Sequence, residues 1–239
     1  PRSTLFPYTT LFRSPFKNFR LDTPEKKREL NIASWLHDCG KIITPEYVVD
    51  KATKLETIYN RIHEIRTRFE VLLRDAQIER LEMIIDGKPS EEAEREYERN
   101  ARQLQNDFEF IAECNIGSEY MEDEKIERLE KIASRTWLRY FDNRIGLSWG
   151  EINRLTPFQK TDKKESCPVE EKLLSDRPDH LIQREKWTQE SYEKHGFRFN
   201  MPRYLYNRGE IYNLSVRSGT LTAEERFKIN EHVAQTIIL

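Results

Sequence analysis

Trp35-Leu36-His37-Asp38-Cys39-Gly40-Lys41-Ile42 sets a histidine against an aspartate, then a glycine and a lysine, at the end of an apolar pattern. Upstream, Thr23, Pro24 and Glu25 read as N-cap, first helical residue and acidic first turn. The helix they open is expected to run to about Cys39 and to stop at Gly40 in a left-handed cap. Leu30, Ala33 and His37 recur three and four residues apart, which predicts an inward-facing His37 with Asp38 beside it. Buried there, both would need partners. An adjacent imidazole and carboxylate can offer a metal one nitrogen and one oxygen. The second carboxylate oxygen can bridge to another ion, and two ions can clamp a phosphoryl group for in-line attack. Lys41, just past the turn, can neutralise a phosphate oxygen as a point charge.

Outward from this stretch the chain reads as helices. Thr44-Pro45 marks a turn or short-helix start. From Glu56, Ile58, Ile62, Ile65, Phe69, Leu72 and Ala76 follow the alternating four and three spacing of a heptad seam. Asp86-Gly-Lys-Pro-Ser90 interrupts it, and Tyr97, Ala101, Leu104, Phe108 and Ile111 line a second long helix. The pair predicts an antiparallel helical hairpin. A third helix is expected over 123–141, with Ile126, Leu129, Ile132, Ala133, Trp137 and Phe141 on its apolar face. Ser148 with Glu151, and Thr222 with Glu225, fit capping boxes. The second opens a helix carrying Phe227, Ile229, His232, Val233 and Ile237. Between them, 156–203 is polar and punctuated by Pro157, Pro168, Pro178 and Pro202, an irregular connector. No stretch alternates as a strand, so the fold class is all-α.

Bulk composition agrees. The 239 residues are 37% hydrophobic and 34% charged with a formal net charge of -2, and mean hydropathy is -0.83. That suits long, solvated helices. Near-neutral charge provides no global attraction to a nucleic-acid polymer or an acidic membrane. No apolar run approaches the ~18 residues of a membrane span. Cys39, Cys114 and Cys167 are odd in number and widely spaced, which reads as reduced thiols in a cytoplasmic protein. The opening fourteen residues, PRSTLFPYTTLFRS, lack periodicity and capping logic. They resemble the conceptual translation of a short-read sequencing adapter and are set aside from fold reasoning. On that reading the native chain is cut before Pro15, and it is cut again at Leu239, inside an apolar helical pattern.

Two pieces carry a family resemblance. Ala33-Ser-Trp-Leu-His-Asp-Cys-Gly-Lys-Ile-Ile-Thr-Pro-Glu-Tyr-Val-Val-Asp-Lys51 resembles the signature of HD-domain phosphohydrolases, and more narrowly of their HD-GYP branch. Ser218-Gly-Thr-Leu-Thr-Ala-Glu-Glu-Arg-Phe-Lys-Ile-Asn-Glu-His232 resembles the capped helix that follows in that branch, with His232 at the position of a metal-binding histidine. The resemblance covers 31–55 and about 205–239. It implies a helical domain split by an insertion: 15–55 as its first part, 56–155 as a helical insertion, 156–203 as the connector and 204–239 as its truncated second part. It also implies His37, Asp38 and His232 as metal ligands and two or more divalent ions, iron or manganese. Asp38 and Lys41 would be catalytic, with Lys41 also a phosphate contact.

The activity it implies is phosphodiester hydrolysis, with cyclic di-GMP as the usual substrate in bacterial signalling. The family's upstream ligand helix, later paired histidines and Gly-Tyr-Pro motif lie outside this chain, so the fragment alone is expected to be inactive. A lost N-terminal module could anchor the full protein to a membrane. Alternatives are an HD phosphohydrolase acting on another nucleotide, and a degenerate module serving as a signalling or dimerisation adaptor. The hairpin is the candidate homodimer surface. Tyr204, Tyr206, Arg208 and Tyr212 either stack on and pair with a nucleotide, Arg208 being the candidate substrate contact, or pack the insertion against the domain. His63 reads as a flanking residue of the seam, and His180 and His195 receive no role.

Overall fold

The computed structural model describes residues 20–117, 120–155, 166–184 and 189–238. The adapter-like residues 1–14 therefore lie outside the described residues, as does Leu239. The chain divides into two units, Pro1–Ile43 with Glu231–Leu239, and Thr44–Asn230. Helices dominate both, and the described strands form only two-stranded pairs. The fold class is all-α, as the sequence predicts.

In the first unit, α1 spans Pro24–Leu36. Thr23 caps it as expected, its hydroxyl accepting from the Lys26 N–H at 3.3 Å. Its apolar residues are not covered. None of α1 is buried, and Trp35 is 87% exposed. The inward face predicted from Leu30, Ala33 and His37 is therefore solvent-facing. The end of α1 also differs from expectation. His37 is the C-cap in a right-handed helical conformation, and Cys39–Ile43 continues as a 3-10 turn. Gly40 is not among the glycines with positive φ, so it does not act as a left-handed cap. Its reason lies in packing, described below.

In the second unit, Glu46–Val49 forms the short helix α2 after Pro45, followed by α3 (Ile62–Ile85) and α4 (Ser90–Ile116). The hairpin is present, but α3 starts six residues later than the heptad predicts, and Ile58 is 86% exposed. Local hydrogen bonds explain the delay. Glu56 turns back to accept from the Ala52 and Thr53 N–H groups at 2.9 and 3.0 Å. Asn60 Oδ1 then accepts from the Ile62 N–H at 3.1 Å, starting the helix there. Between the helices, Phe69 and Phe108 meet edge to face with centroids 5.4 Å apart.

Helix α5 spans Asp123–Ala133, shorter than the 123–141 expected. The chain leaves it as strand β1, Thr136–Arg139, which pairs antiparallel with β2, Val169–Lys172. The Arg135 carbonyl accepts from the Leu173 N–H at 2.7 Å, so the backbone is committed to this distant segment rather than to another helical turn. Trp137 lies on β1 and Phe141 lies beyond it. Helix α6 (Trp149–Leu155) starts at the predicted box, Ser148 N–H to Glu151 Oε2 at 2.8 Å and Glu151 N–H to Ser148 Oγ at 3.4 Å.

The described part of 156–203 holds ordered elements: β2, a 3-10 turn at Pro178–His180, β3 (Leu181–Ile182) and α7 (Gln189–Lys194). Strand β3 pairs with β4 (Tyr206–Asn207). Leu173 and Leu174, completely buried, join Ile65, Ile111, Leu129 and Leu214 in the core. Helices α8 (Glu210–Leu214) and α9 (Ala223–Ile238) complete the described chain.

Charged groups thread this core. Glu210, 2% exposed, accepts two bonds from Arg68 at 3.0 and 2.9 Å and one from the Ser175 N–H at 3.0 Å. Arg68 also donates to the Leu173 carbonyl at 2.8 Å. Although burial opposes it, the Arg68 pairing holds the Glu210 carboxyl below its ordinary value. Removing one partner of such a pair leaves an uncompensated buried charge, which costs about 3–5 kcal/mol. Glu210→Gln is accordingly expected to lower unfolding free energy by about 3 kcal/mol in urea titrations. A loss of under about 1 kcal/mol would mean that Arg68 finds water instead.

His180 is held neutral in the same unit. Its Nδ1 accepts from the Arg177 N–H at 3.2 Å. Burial, reinforced by the Arg177 charge, pushes its pKa from 6.5 down to about 4. Between those values the unfolded chain binds a proton that the folded chain does not. Stability should thus fall as pH drops from 6.5 towards 4 and gain no further penalty from this group below that. His180→Gln, which keeps an acceptor without a titrating ring, should flatten that part of a pH-dependent thermal melt. An unchanged acid limb would assign it to other groups.

Candidate functional site

The first unit gathers His37, Asp38, Lys41 and His232. The first three come from the end of α1 and the turn after it, and His232 comes from α9. His37 Nδ1 lies 2.6 Å from the Ser34 carbonyl, an oxygen that can only accept, so Nδ1 carries a proton. His37 Nε2 then faces Asp38 Oδ2 at 3.1 Å. Two arrangements satisfy both contacts: an imidazolium, or a neutral ring whose Nε2 lone pair shares a cation with Asp38. An imidazole fixed through Nδ1–H to a backbone carbonyl is the usual support of a metal-binding histidine.

On the other carboxylate oxygen, His232 Nε2 stands 3.9 Å from Asp38 Oδ1. Lys41 Nζ donates to Asp38 Oδ2 at 2.8 Å. That bond, with the charges of His37, Lys41 and His232, holds the Asp38 carboxyl below its ordinary range. The side chains of His37 and Asp38 are 67% and 40% exposed and that of His232 is 18% exposed. The site is therefore a surface cluster, contrary to the buried pair expected.

Gly40 explains how residues so distant in sequence meet. Its N–H donates to Thr236 Oγ1 at 2.9 Å across 196 positions. A Cβ on Gly40 would lie 2.1 Å from the His232 carbonyl oxygen, 2.6 Å from Thr236 Oγ1 and 2.9 Å from the Thr236 nitrogen. Only glycine lets the turn approach the helix backbone this closely.

The donors fit a divalent ion in kind. Two imidazoles flank the two oxygens of one carboxylate, and one ring is supported from behind. In spacing they fall short. Among the described residues no group of three or more His, Cys, Asp or Glu side chains is gathered tightly enough to hold a metal ion, and Lys41 competes for Asp38 Oδ2.

Arg208 belongs to the other unit, where its backbone N–H donates to the His180 carbonyl at 2.9 Å. Of its aromatic neighbours, Tyr206 packs against Tyr47 with centroids 6.2 Å apart. Tyr212 hydrogen-bonds the Glu224 carboxylate at 3.0 Å, and burial beside that charge pushes its hydroxyl up to about 12. Both are engaged in packing. His63 sits beside Arg66 at 2.9 Å on the hairpin.

The sequence reading missed two features. Thr236 stands one turn beyond His232, and this spacing was its only signal. The turn after the Gly40 segment also carries buried lysines. Lys51 Nζ meets Glu225 at 2.9 and 2.8 Å and Asn213 Oδ1 at 3.2 Å. Glu225 simultaneously closes the predicted box by accepting from the Thr222 N–H at 2.9 Å. Lys54, 1% exposed, donates to the Leu214 carbonyl at 2.8 Å. Burial lowers the pKa of both ammonium groups.

Residues 168–239 match the family model described as an HD domain. The match takes in His232 and leaves His37, Asp38 and Lys41 outside. It supports an HD-domain protein. No curated protein and no solved structure matches the chain.

Gly40→Ala should cost about 2–3 kcal/mol, since backbone rather than a flexible side chain blocks the new methyl. Gly150→Ala is the control, because its Cβ would meet only Arg154 Nη1 at 3.9 Å and it lies in α6. It should be neutral or stabilising in the same thermal melts. Equal behaviour of the two variants would remove the close approach from the account.

Proposed function

We propose that this chain carries part of a metal-dependent phosphohydrolase of the HD-GYP type, acting on cyclic di-GMP. One observation carries the reading: Asp38 lies between His37 and His232, with Lys41 on the same carboxylate, in a chain whose residues 168–239 match the HD domain. Support for the finer class comes from the sequence resemblance alone, the Leu-His-Asp-Cys-Gly-Lys segment and the capped helix carrying His232.

A bound divalent ion, iron or manganese in this reading, would supply an activated water and charge neutralisation at the phosphodiester. His37 and His232 would hold it through Nε2 and Asp38 through its carboxylate. Lys41, released from Asp38, would place its ammonium on a phosphate oxygen. Asp38 lies between the two imidazoles, 3.1 Å from His37 Nε2 and 3.9 Å from His232 Nε2. The hairpin α3–α4 is proposed as the surface on which two copies associate.

A second reading is favoured by the loose spacing of the three donors, with His232 Nε2 3.9 Å from Asp38 Oδ1 and Lys41 on Asp38 Oδ2: a module that retains the HD geometry as a signalling or dimerisation adaptor. Full-length protein loaded with manganese and incubated with cyclic di-GMP, and separately with other nucleotides, distinguishes the readings. The enzyme reading expects linear product from cyclic di-GMP and a drop of at least about a hundredfold for Asp38→Asn, the scale of a lost transition-state contact. Turnover of only another nucleotide would reassign the substrate. No turnover, together with a dimer in light scattering, would favour the adaptor.

A further inference from the structure

We propose that Thr236 is the positioning residue that sets His232 against Asp38. This deepens the preceding reading and rests on it only for the chemistry that the pair performs. Thr236 lies four residues after His232, so both share one face of α9. Its hydroxyl oxygen accepts from the Gly40 N–H at 2.9 Å, and that amide belongs to the second residue after Asp38. Gly40 is buried. Without the hydroxyl its amide would be a buried donor lacking that partner, a cost above the value of an ordinary hydrogen bond.

Sterics alone do not fix the register. Bare glycine permits the turn to lie against α9, since a Cβ would stand 2.1 Å from the His232 carbonyl oxygen. Permission to approach leaves the turn able to slide along the helix, and the hydrogen bond selects one position. Threonine suits this task because its β-branched side chain is stiff at χ1. In that position His232 Nε2 comes 3.9 Å from Asp38 Oδ1. Thr236 thus acts through the backbone of the Gly40 turn, and the group it places is the Asp38 carboxylate.

The test uses the full chain with three substitutions, Thr236→Val, Thr236→Ser and Asp38→Asn. Valine keeps the shape and removes the acceptor, whereas serine restores the acceptor. Two NMR readouts need no metal. Exchange of the Gly40 amide should quicken about tenfold in Thr236→Val, the scale of one lost hydrogen bond, and return in Thr236→Ser. The His232 ring resonances at fixed pH should respond to Asp38→Asn in the parent and in Thr236→Ser, and not in Thr236→Val. An unchanged Gly40 amide in Thr236→Val, or a His232 ring that responds equally in all backgrounds or in none, would overturn the proposal. Manganese titration of the same proteins separates the two levels. Failure of every variant to bind manganese, with both NMR readouts as expected, would count against the phosphohydrolase reading and leave the role of Thr236 standing.

Discussion

Gly40 approaches α9 more closely than any other residue type could. The 2.1 Å separation between a hypothetical Cβ and the His232 carbonyl makes this an interlock of two backbones. A helix presents a nearly continuous wall of side chains to its neighbours, and a turn reaches the helix backbone only where a side chain is missing. From this contact follow the donation to Thr236 and the meeting of Asp38 with His232, while Lys41 reaches the same carboxylate locally, from three residues along the turn. The Gly-Lys pair in the opening stretch has two separable purposes, glycine for approach and lysine for charge.

The second unit is organised by a related constraint. Lys51, Lys54, Arg68, Glu210 and Glu225 are charged groups drawn into or beside a hydrophobic core, each held by partners distant in sequence. Such pairs add little net stability relative to apolar residues, yet breaking one is expensive. Here they tie together segments distant in sequence. Glu225 closes the cap of α9 and holds Lys51, so the start of that helix and the segment after the Gly40 turn are fixed by one carboxylate. Asp176 works in the same way on α8. It accepts from the Ile211 and Tyr212 N–H groups at 2.9 and 3.1 Å, and Gly209 leaves the room for it, since a Cβ there would be 2.4 Å from Asp176 Oδ1.

What was legible in the sequence was what is local. The Thr23, Ser148 and Thr222 caps are read correctly because donor and acceptor lie within three residues. The α3–α4 hairpin is read correctly because its apolar seam repeats over many turns. Errors arise where distant segments intervene. Trp137 and Phe141 continue a helical period on paper, yet the backbone after Ala133 is diverted to Leu173. Gly40 looks like a helix cap, and only contact with α9 reveals it as a docking point. The buried lysines were invisible because a charged residue is buried only when a partner exists, and the oxygen atoms that hold these ammonium groups lie 160 or more positions away. For the site, His37, Asp38, Lys41 and His232 were all named from sequence, although their exposure was not, because the inward face assigned to α1 assumed a covering that the described residues do not supply.

The proposed function turns on Asp38 joining His37 and His232 in one cation-binding group. Its most direct test is anomalous diffraction from crystals of the protein equilibrated with manganese. The account predicts a manganese peak in contact with the His37 Nε2 and Asp38 carboxylate atoms and facing His232 Nε2, with the Lys41 ammonium displaced from Asp38 Oδ2. Manganese bound only elsewhere, or no peak while Lys41 keeps its place on Asp38, would contradict it.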